Sequence, residues 1–361
     1  MLYNLLYPLH DAYTVFNVFR YITFRSIYAV VTGLAVALVI GPVFIEYLKS
    51  RQIGEKIRSD GPKSHLSKAG TPTMGGILIL ISMLLPTLLW ADLLNGYVWV
   101  AVETALMFGA IGLYDDYVKL KGIRKGGISG RQKLALQFAA ALVIVMCVYI
   151  AHGGSEGLTK VHVPFLKNVQ PDLGILYVPF AMLVIVGAAN AVNLTDGLDG
   201  LAIGPVIMSF ITYAILCYIA GNAKMAAYLN IPYMPQVGEA TVFCAAVIGA
   251  SLGFLWYNCY PAMVFMGNVG STALGGALGA VAVVSKQEII LVVVGGVFVV
   301  EAVSVIIQVA WFKSTGKRFF RMAPLHHHFE HLGWPEPQVI VRFWIVAVIL
   351  ALLSLSTLKL R

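Results

Sequence analysis

Ser26-Ile-Tyr-Ala-Val-Val-Thr-Gly-Leu-Ala-Val-Ala-Leu-Val-Ile-Gly-Pro-Val-Phe-Ile-Glu46 carries its only charge on its last residue. A helix of about 20 residues rises about 30 Å, the thickness of a bilayer's hydrocarbon core. Nine more apolar runs follow, at about 74–94, 97–114, 134–151, 174–192, 200–220, 239–257, 270–285, 287–311 and 339–358. The chain of 361 residues is 59% hydrophobic and 12% charged, where soluble domains carry about 25% charge. Its mean hydropathy is +0.83. These values exclude a water-soluble enzyme with a polar shell, a disordered chain, a collagen and a disulfide mini-scaffold. The expectation is an all-α polytopic integral membrane protein with about ten transmembrane helices, one membrane-embedded domain over 1–361. Run 270–285 is the weakest, being short and rich in Gly and Ala, residues that suit close helix contact.

Lys and Arg set the orientation. The loops after the first, third and ninth runs hold sixteen: Lys49, Arg51, Lys56, Arg58, Lys63, Lys68, Lys119, Lys121, Arg124, Lys125, Arg131, Lys133, Lys313, Lys317, Arg318 and Arg321. The even loops hold four: Lys160, Lys167, Lys224 and Lys286. Basic loops stay cytoplasmic, so the odd loops face the cytoplasm and both termini the opposite side. The net charge of +8 is thereby a topology signal, with no nucleic-acid partner implied. Residues 1–25 lack the layout of a cleavable signal. Cys147, Cys217, Cys244 and Cys259 have no metal or disulfide spacing and read as helix-packing residues.

The unusual polar residues all fall on odd loops. Asp115-Asp116 ends the third run. Asn193-Leu-Thr-Asp196-Gly-Leu-Asp199-Gly follows the fifth. Asn258, Phe265 and Gly267-Asn268-Val-Gly-Ser271 follow the seventh, and His326-His327-His328 the ninth. They would converge on one cytoplasmic, membrane-edge site. Adjacent carboxylates beside lipid are costly unless paired, hydrated or metal-bound. Lys119 and Lys121 could simply neutralise a solvated helix end. The glycines of 193–200 allow close backbone approach to a ligand, or merely a turn. Oxygen donors of this kind suit Mg²⁺ or Mn²⁺. With basic loops alongside, they suggest phosphoryl transfer on a polyanionic substrate.

Three consecutive histidines do not make a zinc spacing; with Arg318 and Arg321 they suit phosphate or sugar oxygens. Gly70-Thr-Pro-Thr-Met-Gly-Gly76 is a ligand loop or a helix start, and not a Walker A motif. Glu301 and Gln308, seven residues apart, share a helix face, where they line the site or bond a neighbouring helix.

Five stretches together carry a resemblance. They are Ser67-Lys68-Ala-Gly-Thr-Pro-Thr-Met-Gly-Gly76, Asp115-Asp116, Asn190-Ala-Val-Asn-Leu-Thr-Asp-Gly-Leu-Asp-Gly200, Phe265-Met-Gly-Asn-Val-Gly-Ser271 and Met322-Ala-Pro-Leu-His-His-His328. In this order they resemble the phospho-N-acetylmuramoyl-pentapeptide transferases, of the polyprenyl-phosphate N-acetylhexosamine-1-phosphate transferase superfamily. The histidine stretch and the Gly333-Trp-Pro-Glu336 after it are the parts most particular to that branch. The resemblance implies a Mg²⁺-dependent enzyme of the bacterial inner membrane, with ten transmembrane helices, forming homodimers. Its reaction moves phospho-N-acetylmuramoyl-pentapeptide from UDP to undecaprenyl phosphate, giving lipid I and UMP for peptidoglycan. It also implies that Asp115 and Asp116 are catalytic and close to the metal. Asp196, Asp199, Asn258, Phe265 and Gln308 would bind the nucleoside part, Phe265 by stacking on uracil, and Asn193 would bind substrate. Lys68, Lys133, His326, His327 and His328 would surround the nucleotide sugar.

One position departs from the family's pattern. Where that pattern has a Mg²⁺-binding aspartate, this chain has Asn268. Asn offers a neutral carbonyl oxygen and an NH₂ donor. The expectation is a natural variant or an inactivated form, with weakened Mg²⁺ binding and an intact fold. Two rivals stand beside this reading. A sibling transferase using a UDP-N-acetylhexosamine without peptide would lack the histidine stretch. An ion-coupled transporter would carry its carboxylates near mid-bilayer on broken helices; here they sit at span ends on one side.

Overall fold

The computed structural model describes residues 1–51, 70–123, 126–153, 157–164, 169–229 and 231–358. Lys68 lies outside the described residues. Among them the chain is helical, with one isolated β-bridge, Lys160 to Asp172, and no sheet. The helices are α1 (Leu2–Leu6), α2 (Ile22–Ser50), α3 (Gly76–Trp90), α4 (Gly96–Leu120), α5 (Gly130–His152), α6 (Tyr177–Thr195) and α7 (Ile203–Ala220). Then come α8 (Ala223–Leu229), α9 (Ala240–Asn258), α10 (Gly267–Val284), α11 (Leu291–Val294), α12 (Gly296–Thr315), α13 (Leu325–His331) and α14 (Glu336–Ser356). Nine are long and apolar enough to cross a membrane, and α3, with 15 residues, is a shorter apolar tenth. The ten apolar runs of the sequence each meet one of these ten helices.

The weakest run became the axis of the bundle. Every residue of α10 from Asn268 to Val284 is buried. Lipid tails are as apolar as leucine, so helices in a bilayer associate through close packing. The glycines of α10 provide it. A Cβ on Gly275 would stand 2.6 Å from the Ala188 carbonyl oxygen of α6, and one on Gly276 would stand 2.8 Å from the Phe108 ring of α4. The Gly/Ala content that made the span hard to read is what lets three helices meet.

The run at 287–311 is not one helix. It breaks at Gly295, between α11 and α12, where ψ reaches 21°. Only Gly296, Val297, Phe298, Glu301 and Ser304 of α12 are buried. From Val305 to Thr315 no residue is fully buried, and Ile306, Val309, Trp311 and Phe312 are exposed. An apolar run has the same appearance in a sequence whether it packs on protein or faces lipid.

The end of the bundle that carries Met1 is closed by ion pairs. Arg25, 1% exposed, donates to both Glu239 carboxylate oxygens at 2.6 and 2.7 Å and to the Trp90 carbonyl at 3.2 Å, and lies against the Tyr3 ring. The Met1 amine donates to the Leu88 carbonyl at 2.6 Å. Lys286 donates to the Leu158 carbonyl and to Glu288. Helix α14 starts at the other end and runs back here, so Leu358, the last described residue, lies on the same side as Met1. Cys217 and Cys244 are buried packing residues, Cys147 is half-buried and Cys259 is exposed; all four are free thiols.

Removing one partner of a buried ion pair strands the other charge. Glu239→Ala should lower the unfolding free energy of the detergent-solubilised protein by about 3–5 kcal/mol. Replacing Arg25 and Glu239 together with methionine should restore most of it, read as paired thermal melts. An unchanged melting temperature in Glu239→Ala would contradict the pairing.

Candidate active site

The other end of the bundle gathers the polar residues of α4, α5, α6 and α10. Asp115 and Asp116 lie in the last turns of α4, both buried. Successive helical residues point about 100° apart, so the two carboxylates face different neighbours. Asp115 accepts from the Ile128 backbone N–H at 2.9 Å and from Lys133 Nζ at 3.3 Å. Asp116 accepts from Asn268 Nδ2 at 2.6 Å and from the Val269 N–H at 3.3 Å.

Lys133 sits in the first turn of α5. Ser129 caps that helix through a reciprocal box with Gln132, which fixes where the first turn begins. Its ammonium also donates to Asn268 Oδ1 at 3.1 Å and Asn193 Oδ1 at 3.4 Å. Asn193, in the last turn of α6, donates to Asn268 Oδ1 and to Ser271 Oγ, both at 2.7 Å. Asp115, Lys133, Asn193, Asn268, Asp116 and Ser271 thus form one hydrogen-bonded network. Ser271 had no assigned role in the sequence reading, though it closes the Gly267–Ser271 motif.

Two left-handed glycines bring backbone against the carboxylates. Gly127 (φ +80°) packs on Asp115 Oδ1, where a Cβ would overlap the oxygen. Gly267 (φ +71°) leaves only 2.8 Å between a would-be Cβ and Asp116 Oδ2. Gly112, one turn before Asp116, has no room for a Cβ against the Asn268 carbonyl and Thr272 Oγ1. These approaches set α4 directly against the start of α10.

The donors suit a hard divalent cation. Mg²⁺ takes one or two carboxylates and completes its shell with water and substrate phosphate, and Asp115 and Asp116 are two carboxylates at one end of the bundle. Asn268 does not add a third oxygen beside them. Its Oδ1 faces Lys133 and Asn193, and its NH₂ faces Asp116. Among the described residues, no three His, Cys, Asp or Glu side chains form a metal cage.

The other described residues that the sequence points to have contacts elsewhere. Asp199 accepts from the Ala262 N–H at 2.9 Å, and its own N–H donates to Glu336 at 3.1 Å. Asn258 bridges the Gly200 N–H and the Val264 carbonyl. Both side chains brace the loop joining α6 to α7 against the loop joining α9 to α10. Asp196 and Phe265 are half-buried on those loops. The Phe265 backbone pairs with Pro72 and Gly75, so the Gly70–Gly76 stretch is tied to the site by main chain. Gln308 holds the Phe319 and Phe320 N–H groups and the Phe320 carbonyl, folding the segment after α12 back on it. Of the histidines, His326 is buried against Glu301 and Gly197, His327 meets Glu330 at 2.7 Å, and His328 Nδ1 accepts from the Arg321 N–H. Glu336, buried at the start of α14, is the acid that accepts the Asp199 N–H.

A multi-span helical membrane protein with an acid–amide–lysine network at one end is, by its match to known families, a membrane phosphotransferase. The family described as Glycosyl transferase family 4 matches residues 98–286, and the phospho-N-acetylmuramoyl-pentapeptide-transferase signature 1 matches residues 68–80. Phospho-N-acetylmuramoyl-pentapeptide-transferases from Citrifermentans bemidjiense (58% identical over 361 residues), Geobacter sp. strain M21 (57% over 361) and Desulfatibacillum aliphaticivorans (59% over 366) match over the whole of both chains. The chain belongs to the phospho-N-acetylmuramoyl-pentapeptide-transferase family.

The contact at Gly112 is testable without a substrate. Gly112→Ala should separate α4 from α10 and cost about 1–3 kcal/mol, as overpacking does, seen as a lower melting temperature in detergent. No loss would mean that the helices do not meet there as closely as the structure has them.

Proposed function

We propose that the protein transfers phospho-N-acetylmuramoyl-pentapeptide from its UDP conjugate to undecaprenyl phosphate, releasing UMP and forming lipid I. An oxygen of the lipid phosphate attacks the sugar-linked phosphorus. The bond from that phosphorus to the bridging oxygen breaks, and the bridging oxygen leaves with UMP. The observation that carries this reading is the network that joins Asp115, Asp116, Lys133, Asn193 and Asn268 at one end of the bundle. The names of the full-length relatives supply the substrates.

The chain's own residues have distinct tasks in this reading. Lys133, held by three side-chain acceptors, presents a fixed positive charge beside the acidic pair for a phosphate group. Asn193, itself bonded to Ser271 Oγ, holds the Asn268 amide in place. Asp199, Asn258 and Gln308 keep the loops that would receive the nucleotide in register. Asp115 and Asp116 would hold Mg²⁺ together with substrate oxygens; bound there, it would neutralise charge developing on the phosphates. Phosphoryl transfer depends on such positioning and charge neutralisation more than on covalent chemistry.

The excess of basic residues on the loops at this end supports a cytoplasmic site and periplasmic termini, in the bacterial plasma membrane. The family resemblance supports a homodimer. Asn268 sets a further expectation, that Mg²⁺ is held less tightly here than with an aspartate at that position.

The test is Mg²⁺-dependent UMP release from UDP-N-acetylmuramoyl-pentapeptide with undecaprenyl phosphate, in the parent and in Asn268→Asp. The aspartate form should need at least about tenfold less Mg²⁺ for half-maximal rate, since a third carboxylate beside two others demands a cation. It should also melt lower without Mg²⁺ and recover when Mg²⁺ is added. Equal Mg²⁺ dependence in both would remove position 268 from the metal site. No UMP release from either folded protein would overturn the transferase reading.

A further inference from the structure

The three histidines of the 326–328 run do not share one environment. His327 is engaged by Glu330, and His328 by the Arg321 backbone. His326 alone is almost fully buried, at 1% exposure. It meets Glu301, a wholly buried acid on α12. The Glu301 carboxylate touches it twice. Oε1 accepts the His326 backbone N–H at 3.1 Å, and Oε2 lies 3.2 Å from Nδ1, off the line of a hydrogen bond. Oε2, Nδ1 and Nε2 therefore have no hydrogen-bond partner among the described residues. Buried polar atoms are rarely left so. A small rotation of the ring would align Nδ1 with Oε2.

The other ring nitrogen is equally defined. Nε2 lies beneath Gly197, where a Cβ would overlap it. Gly197 is exposed and sits in the Asp196–Asp199 turn. The outer nitrogen of a buried histidine is therefore one glycine away from the surface of the site.

We infer that Glu301 is a positioning residue for His326, holding the proton on Nδ1 and presenting Nε2 as a neutral acceptor to the Asp196–Asp199 turn. Which nitrogen of a histidine carries the proton is set by the partner of the other nitrogen. A carboxylate facing Nδ1 keeps the proton there, and Nε2 is left to accept. The backbone contact at Oε1 holds the start of α13, so the same carboxylate fixes both the ring and the helix that carries it. Gly197 is required because any side chain at that point would occupy the space next to Nε2. The group that Nε2 accepts from is an N–H or O–H donor of a substrate lying on the turn; that last step rests on the transferase reading.

The placement and the reading are separable by experiment. In protein labelled with ¹⁵N-histidine, solubilised in detergent, the His326 ring signals are assigned by their loss in His326→Gln. The parent should show the Nδ1–H, Nε2-acceptor tautomer. Glu301→Gln should shift His326 away from it, with the His327 and His328 signals in place, and Glu301→Asp should keep the tautomer with an altered Nδ1 shift. An unchanged His326 spectrum in Glu301→Gln overturns the inference. If that variant does not fold, an unchanged spectrum in Glu301→Asp does so instead. In the Asn268→Asp background, Glu301→Gln should lower kcat/KM for UMP release by about 10- to 100-fold, the size of loss seen when the partner orienting a metal-bound histidine is removed. Glu301→Asp should recover part of that loss, and equal losses in both variants would overturn the positioning role. An Asn268→Asp protein that releases no UMP would sink the transferase reading, while the tautomer result would still decide the role of Glu301.

Discussion

One amide holds the site together. Asn268 stands at the first turn of α10 and reaches three other helices with a single planar group. Its NH₂ meets Asp116 on α4, and its carbonyl meets Lys133 on α5 and Asn193 on α6. Donor and acceptor sit on opposite sides of an amide, so it joins an acid on one side to donors on the other. The group can do this only because α10 is buried along its length, Gly112 lets α4 close on the start of α10, and the glycines at 127 and 267 let backbone approach the acids. The polar network and the tight apolar packing are therefore one constraint: loosen the helices and the amide no longer spans them.

The same constraint explains where polarity is allowed. In lipid, a polar group without a partner is costly. The bundle concentrates its charges at its two ends and closes each locally. At the terminal end, Arg25 and Glu239 make a two-bond pair whose partners are protein atoms. At the site end, acids, a lysine and amides share bonds, and the loops above are braced by Asp199, Asn258 and Gln308. Bracing by side chain to main chain fixes loop shape without spending the charged cluster beneath.

Much of this was legible in the sequence, for identifiable reasons. Helix number followed from apolar length, which the bilayer imposes on every span. Convergence of Asp115, Asp116, Lys133, Asn193 and Asn268 followed from their shared placement at span ends on odd loops. What could not be read was which polar residue faces which. Asp199, Asn258 and Gln308 look in sequence like Asn193, yet their side chains turn to the backbone of loops and not to the acid–lysine network. The three histidines look identical, and only the fold sets one against Glu301. The break at Gly295 was hidden because the residues on both sides of it are apolar.

Position 268 shows how little the fold records of the chemistry. Asn and Asp have nearly the same shape, so either would pass between the same helices. The difference is electrostatic. Two unit charges 4 Å apart interact by about 4 kcal/mol at an effective dielectric of 20. A carboxylate where Nδ2 now donates to Asp116 would bring repulsion of that order, relieved only by a proton or a cation between them. The amide relieves it with a hydrogen bond instead. At position 268 the amide joins Asp116 to Lys133 and Asn193 through hydrogen bonds, where a carboxylate would have to be relieved of its repulsion by a proton or a cation.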